Sequence, residues 1–430
     1  MIALIFTGLP MGIIMGFVGL VCGVIGFGWG FTGVLPSRVF DVATNYVLVC
    51  LPLFILMGNM MERSGTTEKL YSTMHILFGR ARGGLAYATV IIGTIFAAAT
   101  GVIGASVTTM DLIAIPSMLK RGYDTKLTLG VLMASGTLGM LIPPSVMLVM
   151  FASWAQLSVG RLYMACYLPG FLLGALYALW VFIQCKRNPN AGPPLSKEEL
   201  SVYSRNEKIK MACQGVIPPI ALILIVMGSI LTGIATPTES AGLGALGAVI
   251  IAAAFKKLDW KSFKEAIMRT GSASGMVVLI AAGSYIFVSA FLRLGGANAV
   301  ADLFYALSLG RWGTMAIIMV ILIILGMFLD WFGILVILTP VFMPIVKELG
   351  FNTIWFGVLV CVNLQMSFLT PPFGYALFYT KGVTPLVAPD VTTGQIFASI
   401  IPYCIMVVIG IIILCVAPQI ALWLPSAVYD

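Results

Sequence analysis

The stretch that decides the fold is Leu141-Ile142-Pro143-Pro144-Ser145, which recurs as Leu369-Thr370-Pro371-Pro372. Both copies lie inside apolar segments, at about 127–152 and 353–380. A proline inside a helix removes a backbone donor and clashes with the preceding turn, so two in succession predict a local break. Carbonyls freed at membrane depth are tolerated only where protein or a polar cavity surrounds them. The proline pairs therefore predict two broken helices around a polar or ion-binding site, with a plain kink as the alternative.

The proline pairs belong to a longer internal repeat. Pro116 is followed six residues later by Gly122, and Pro344 is followed six residues later by Gly350. Pro116 and Pro344 differ in residue number by the same amount as Gly122 and Gly350. The first and second proline pairs also differ by this amount. We call this difference the repeat offset. Because several residues share it, it indicates that the two halves of the chain are related.

The charges beside the two glycine turns differ. The first turn has a net charge of +2 and the second is neutral. The charged residues are Lys120, Arg121, Asp124 and Lys126 at the first turn, and Lys347 and Glu348 at the second. Because basic residues favour the cytoplasmic side of a membrane, this difference predicts that the turns lie on opposite sides. We therefore expect inverted repeats, which are typical of secondary transporters with a site near the bilayer midplane.

The composition places the chain in a membrane. Of its 430 residues, 60% are hydrophobic and 9% are charged, whereas a soluble domain is roughly a quarter charged. This scarcity of charge excludes soluble enzymes, nucleic-acid-binding proteins and disordered proteins. The apolar runs are continuous rather than alternating, which favours helices over a barrel. They leave room for about ten to twelve spans of about 20 residues, so the expected fold is an all-α polytopic membrane protein.

A polar stretch at 186–212 divides the chain near its middle. It carries six basic and three acidic residues, which predicts a cytoplasmic linker between a first repeat at 1–185 and a second at 213–430. Within the first repeat, the run 84–118 has a glycine-rich centre and predicts either one long helix or a re-entrant hairpin. The single histidine, His75, and eight cysteines without a Cys-x-x-Cys pair argue against an enzyme and against a His or Cys metal site.

Four ionisable residues lie near apolar segments and glycine or proline breaks, which makes them candidates for function. Asp111 and Asp330 are either site residues or helix caps at hairpin tips. Glu239 is either an interfacial cap or a cavity group. Arg293 is either a clamp on a carboxylate or an arginine that extends to the interface.

The order of motifs resembles the large membrane subunit of the tripartite ATP-independent periplasmic (TRAP) transporters. The matching motifs are Pro52–Gly58, Gly104–Ser106, Ile115–Met118, Leu141–Ser145, Ala235–Glu239, Gly326–Asp330 and Thr370–Gly374. Ser367 departs from the pattern, since the family often has glycine before Thr-Pro-Pro.

The resemblance implies a Na⁺-driven importer of organic acids in the bacterial inner membrane. It implies an elevator, in which a transport domain of two hairpins and two broken helices slides against a scaffold. The implied partners are a small four-helix membrane subunit, expected as a separate polypeptide, and a periplasmic substrate-binding protein. Two or more Na⁺ ions and no organic cofactor are expected, and no nucleic acid takes part.

The resemblance also implies site residues. The first Na⁺ site would comprise Gly101, Gly104, Ser106, Thr109, Gly139, Pro143 and Ser145. The second would comprise Gly326, Asp330, Ser367, Thr370 and Phe373. The substrate would lie between the hairpin tips, near Arg293, Asp111, Glu239 and Asn363. Because carboxylates are few, carbonyl and hydroxyl oxygens are the expected Na⁺ ligands.

Two other functions fit part of the pattern. A stand-alone Na⁺/divalent-anion symporter would also use inverted hairpin repeats. An ion channel would need a continuous polar stripe, which the chain does not show. The carried acid stays open among dicarboxylates, keto acids, sugar acids and sialic acids.

Overall fold

The computed structural model describes residues 4, 7–100, 103–194, 205–307, 309–371 and 374–429. Within these ranges the chain folds into nineteen α-helices joined by short turns, with no strand. This architecture confirms the all-α fold expected from composition.

The described part of the first half contains nine helices. They are α1 (Met11–Phe27), α2 (Val34–Ala43), α3 (Cys50–Arg63), α4 (Thr66–Phe78), α5 (Gly84–Thr100), α6 (Ile103–Lys120), α7 (Thr125–Thr137), α8 (Val146–Trp154) and α9 (Val159–Arg187).

The second half begins with the longer helices. They are α10 (Arg205–Leu231), α11 (Pro237–Ala254), α12 (Trp260–Arg293), α13 (Gly296–Leu307), α14 (Gly310–Phe328), α15 (Trp331–Glu348), α16 (Thr353–Leu369), α17 (Tyr375–Val387), α18 (Thr393–Val416) and α19 (Gln419–Tyr429).

Fewer continuous spans are present than the ten to twelve expected from apolar length. In the described parts of the chain, eight helices are long and apolar enough to cross a bilayer, and three further apolar helices have 10–17 residues. The short ones include α1 and α16. The difference arises because glycine and proline breaks divide apolar runs into helices too short to span about 30 Å of hydrocarbon.

The repeat offset recurs in the helix bounds. Helix α6 runs Ile103–Lys120 and α15 runs Trp331–Glu348, so the offset relates both of their ends. Helices α1 and α11 follow the same offset to within two residues, and α2 with α3 together correspond to α12. The repeat therefore extends far beyond the residues that first showed it.

Packing between the halves is reciprocal. Three contacts between the halves occur in equivalent pairs. Helix α1 packs along α12, and its equivalent α11 packs along α3. Likewise, α7 packs on α18 and its equivalent α16 on α9, while α6 packs on α17 and its equivalent α15 on α8. If each helix is replaced by its equivalent in the other half, each contact becomes the other contact of its pair. This exchange is the property of a two-fold axis that relates the halves. Whether the axis lies in the membrane plane, as inverted repeats require, stays a prediction.

Both predicted breaks are present. The apolar run 84–118 consists of two helices, α5 and α6, which contact each other as a hairpin. Helix α7 ends at Thr137, a 3₁₀ turn follows at Leu138–Met140, and α8 begins only at Val146. Helix α16 ends at Leu369 and α17 begins at Tyr375. Gly101, Pro372 and Phe373 lie outside the described residues.

Helix α9 extends to Arg187 and α10 begins at Arg205, so both helices reach into the stretch 186–212. Its first residues pack against the first half. The N–H of Gly83 donates to the carbonyl of Gly192 at 2.8 Å, and that of Asp124 donates to the carbonyl of Ala191 at 2.9 Å. These bonds hold the start of the linker against the base of the first hairpin.

Candidate functional site

A cavity of about 130 Å³ lies where the two hairpin tips and the two broken helices meet. One wall comes from the hairpins and breaks and includes Gly104, Met140, Val146, Asp330, Trp331, Tyr375 and Tyr379. The other wall is apolar and comes from α3 and α12, with Leu51, Ile55, Ala273, Met276 and Val277. The cavity thus joins residues of both repeats.

Four helix N-termini converge on this cavity. Val146, Trp331 and Tyr375 are the first residues of α8, α15 and α17, and Gly104 is the second residue of α6. The first turn of a helix has N–H groups without a helical partner and carries about half a positive charge. Four such ends around a largely apolar space favour an anion.

Asp330 is the one charged side chain among the described lining residues. Its carboxylate caps α15 by accepting a hydrogen bond from the N–H of Phe332 at 3.1 Å, which confirms the capping expectation. The hydroxyl of Tyr375 lies near this carboxylate. In the described parts of the chain, no three His, Cys, Asp or Glu side chains cluster as a metal site would require.

A second cavity of about 380 Å³ shares Asp330, Tyr375 and Tyr379 with the first. Its lining also includes Leu9 of the N-terminal segment and Phe328 at the end of α14. Pockets for small ligands usually measure about 300–1,000 Å³. The two spaces together therefore have the size of a metabolite site, with Asp330 between them.

The first break is held by side-chain hydrogen bonds to the freed backbone. The hydroxyl of Ser145 donates to the carbonyl of Met140 at 2.7 Å. The hydroxyl of Tyr163 accepts from the N–H of Ser145 at 3.4 Å and donates to its carbonyl at 3.1 Å. Gly139 and Pro143 are buried beside them. Because the Ser145 hydroxyl donates its proton, it keeps lone pairs that a cation can use.

The first hairpin approaches this break closely. The turn Leu138–Met140 contacts both α5 and α6, so the first hairpin packs on the first break. Gly101 is not described, and the first Na⁺ site stays a prediction. A Cβ atom on Gly104 would lie 2.7 Å from the Tyr379 ring, so the absence of a side chain lets this ring approach α6 closely. Ser106 is buried and Thr109 is half-buried on the same helix.

The second hairpin packs on the second break in the same way. A Cβ atom on Gly326 would collide with the side chain of Ser367. The Ser367 hydroxyl is buried without a hydrogen-bond partner among the described residues. Thr370 donates to the carbonyl of Met366 at 2.6 Å. Gly326 and Ser367 of the second set are thus in contact, Phe373 is not described, and the second Na⁺ site stays a prediction.

Asp111 does not cap a helix, so that alternative is wrong. It lies inside α6, fully buried, and its carboxylate accepts a hydrogen bond from Thr380 of α17 at 2.6 Å. Helix α6 begins at Ile103, which places Asp111 about two turns beyond the hairpin tip. The bond joins the first hairpin to the second broken helix.

The other residues assigned to the substrate lie apart from the cavity. Glu239 is exposed in a capping box with Thr236, whose N–H donates to its carboxylate at 2.7 Å, so the cap interpretation is confirmed. Arg293 is exposed at the end of α12, with its guanidinium 5.9 Å from the Phe31 ring centre. Asn363 is buried in α16 and donates to the carbonyl of Met319 at 2.9 Å. None of the three lines the two cavities.

Sequence reasoning missed Tyr375, Tyr379 and Thr380. None of them is charged, and none is adjacent to a proline. Tyr375 and Tyr379 are four residues apart directly after the second break. That spacing places both on one face of a helix, and this is the signal that would have found them.

A helical membrane protein whose paired hairpins and broken helices converge on a buried cavity has the architecture of a transporter. The crystal structure of the YdaH transporter of Alcanivorax borkumensis matches this chain with a TM-score of 0.68 at 13% identity, over 99% of this chain and 98% of that one. At this identity the likeness concerns the fold alone.

Sequence comparison shows the family. The profile described as the tripartite ATP-independent periplasmic transporter, DctM component, matches residues 1–420. The C4-dicarboxylate TRAP transporter large permease protein DctM of Pseudomonas aeruginosa is 30% identical over 395 residues, 91% of this chain and 89% of that protein. The sialic acid TRAP transporter large permease protein SiaM of Vibrio cholerae is 28% identical over 427 residues, 99% of this chain and 96% of that protein. The chain belongs to the DctM family of large TRAP permeases and is a multi-pass protein of the bacterial inner membrane.

Proposed function

We propose that this permease carries an organic acid across the inner membrane by symport with Na⁺, and that the acid binds in the cavity between the hairpin tips. The observation that carries the proposal is the convergence of four helix N-termini on a cavity of both repeats. Their N–H groups and partial positive charges suit a carboxylate. No arginine or lysine from the described residues lines the cavity, so these helix ends supply the attraction.

Asp330 supports a coupling cation. Its carboxylate lines the same cavity as the proposed anion site, so an acid bound there would meet a like charge in a medium of low dielectric constant. A cation held near Asp330 removes this repulsion and makes binding of the acid depend on the ion. Na⁺ suits the oxygen ligands that broken helices present.

The two walls of the cavity support an elevator movement. The wall from α3 and α12 is apolar, whereas the opposite wall carries the helix ends and Asp330. Apolar surfaces slide past each other without breaking hydrogen bonds. We propose that both hairpins and both broken helices move together against α3 and α12. The Asp111–Thr380 bond joins the first hairpin to the second broken helix and would help them to move as one body.

The proposed partners follow from the three components of a TRAP system. A small four-helix membrane subunit would enlarge the static wall, and a periplasmic binding protein would deliver the acid. The binding protein would then select among acids, because the cavity itself offers few polar side chains for discrimination.

Uptake into proteoliposomes tests the proposal. The permease is reconstituted with both partners and offered radiolabelled succinate, pyruvate, gluconate and N-acetylneuraminate with an inward Na⁺ gradient or with choline. At least one acid should accumulate with Na⁺ and not with choline. Equal uptake in both conditions would contradict Na⁺ coupling.

Two variants locate the coupling. Asp330→Ala and Thr370→Ala should raise the Na⁺ concentration needed for half-maximal uptake. Gly382→Ala serves as the control, because this exposed position of α17 has nothing within 4 Å of an added Cβ. Unchanged Na⁺ titration curves would remove Asp330 and Thr370 from the ion site.

A further inference from the structure

The corner between α11 and α12, residues 255–264, concentrates positive charge at the surface. Its four lysines, Lys256, Lys257, Lys261 and Lys264, are all exposed. None of them forms an ion pair with a carboxylate of the described residues. We call this segment the basic corner.

The acidic residues in and beside the basic corner are engaged elsewhere. The carboxylate of Asp259 accepts a hydrogen bond from the N–H of Ser262 at 2.6 Å, which lowers the pKa of Asp259. Glu265 pairs with Arg63 of α3 at 2.7 Å. Lys261 and Lys264 also lie in the first turns of α12, where the helix dipole disfavours positive charge. The segment holds four lysines against one carboxylate, that of Asp259, which interacts with Lys261, so the basic corner keeps a net positive charge.

The internal repeat provides a natural comparison. At the repeat offset, the positions of the four lysines are occupied by Gly28, Trp29, Gly33 and Pro36 in the first half. The equivalent corner between α1 and α2 is thus formed without any lysine. The lysines are not needed to build the corner, which indicates a role outside the fold.

The surroundings of the basic corner match a lipid interface. Exposed apolar side chains adjoin it on both helices, with Ile250 of α11 at 59% exposure and Met268 of α12 at 65%. Trp260 lies between the lysines and is 77% exposed, as is common at the boundary between hydrocarbon and water. Helix α12 has 34 residues, roughly 51 Å at 1.5 Å per residue, so it extends beyond about 30 Å of hydrocarbon.

We propose that the basic corner binds the phosphate headgroups of anionic phospholipids, with the acyl chains along the adjoining apolar faces of α11 and α12. The four lysines supply the charge that a phosphodiester complements. Lys69 of α4, whose ammonium lies 3.8 Å from the Phe255 ring centre, adds a fifth cation at the edge. Lipids bound here would hold α12, which forms part of the apolar cavity wall, at a constant depth in the bilayer.

Quenching of Trp260 by brominated lipid tests this proposal. The protein is placed in phosphatidylcholine vesicles that contain 10 mol% brominated phosphatidylglycerol or, in a parallel sample, 10 mol% brominated phosphatidylcholine with the same chains. The quenching of Trp260 is obtained by subtracting the fluorescence change of the Trp260→Phe variant from that of the unsubstituted protein. Phosphatidylglycerol should quench Trp260 at least three times more strongly, since each lysine near an anionic surface contributes roughly a fivefold preference.

Two variants separate charge from structure. Replacing all four lysines with glutamine should abolish the preference for phosphatidylglycerol, and replacing them with arginine should retain it. In the unsubstituted protein, 0.5 M NaCl should weaken the preference, because the screening length then falls to about 3–5 Å. Equal quenching by the two lipids in the unsubstituted protein, or an undiminished preference in the glutamine variant, would overturn the proposal.

Discussion

Replacing Gly326 with alanine should force the second hairpin away from the second broken helix. An added Cβ would collide with both the Cβ and the hydroxyl of Ser367, and it would lie 3.6 Å from Ile334. Rotation of the Ser367 hydroxyl does not relieve the collision, because the Cβ atom of Ser367 remains in place. The two helices must therefore separate or shift along each other.

The expected cost follows from overpacking of a buried contact. Inserting a methyl group into a well-packed core costs about 1–3 kcal/mol, which is roughly a 5- to 150-fold change in the unfolding equilibrium. Changing Ser367 to glycine alone costs up to about 1 kcal/mol of helix propensity. This cost is partly offset because the substitution removes a buried hydroxyl that has no partner among the described residues.

The double variant Gly326→Ala/Ser367→Gly should recover most of the loss. At the repeat offset the first half carries Ala98 and Gly139, so the double variant reproduces the combination of the other repeat. Because the two side chains collide directly, we expect a coupling energy of at least about 1 kcal/mol.

Unfolding in mixed detergent micelles, followed by tryptophan fluorescence, measures these free energies. Gly382→Ala is the matched control, since it adds a methyl group to an exposed helix position with nothing within 4 Å. It should be neutral or stabilising by up to about 1 kcal/mol. A Gly326→Ala protein as stable as the unsubstituted one, or no recovery in the double variant, would refute the reasoning.

Three further predictions concern single hydrogen bonds. Thr380→Val removes the donor to Asp111 and should lower the free energy of unfolding by about 1–3 kcal/mol in the same micelle assay. Thr380→Ser keeps a hydroxyl donor and should therefore retain most of this stability. Tyr163→Phe removes the hydroxyl that bridges the N–H and carbonyl of Ser145; it should cost about 1–2 kcal/mol and raise the Na⁺ concentration for half-maximal uptake, and normal values for both would contradict its role at the break. A backbone hydrogen bond lowers the pKa of Asp259, so its cap contribution is complete above the ordinary aspartate pKa of about 3.9 and is lost as the pH falls through the lowered value. Unfolding of Asp259→Asn between about pH 2 and about pH 5 should lack this acid-dependent part, and an acid dependence equal to that of the unsubstituted protein would contradict the cap.

Local signals in the sequence predicted the features that depend on local chemistry. The proline pairs that share the repeat offset mark both breaks, whereas Pro218 and Pro219 lie within the continuous helix α10. The repetition of the motif, rather than two prolines alone, made both breaks predictable. Asp330 and Glu239 lie at helix starts, where short-range hydrogen bonds to the first turn decide their role. The repeat offset was also predictable, because it rests on residue identities alone.

Features that depend on distant contacts were not predictable in this way. The bond between Asp111 and Thr380 joins residues 269 positions apart, and no local pattern marks Thr380. Arg293 lies at the end of a long helix, and its direction depends on how α12 is rotated against α1. The side chains of Tyr375 and Tyr379 reach the cavity because α17 packs on the first hairpin. Both carry a polar group without a charge, so they do not stand out in an apolar run.

The most direct test of the proposed anion site is protection of a cysteine in the cavity. Val146→Cys is introduced at the start of α8 in a protein whose eight native cysteines are replaced, and its alkylation by N-ethylmaleimide is timed. The transported acid together with Na⁺ should slow the reaction, whereas the acid with choline should not. A cysteine at Gly382, an exposed position of α17 that lines neither cavity, should react at one rate in both conditions. Unchanged alkylation at position 146 with acid and Na⁺ would contradict the site.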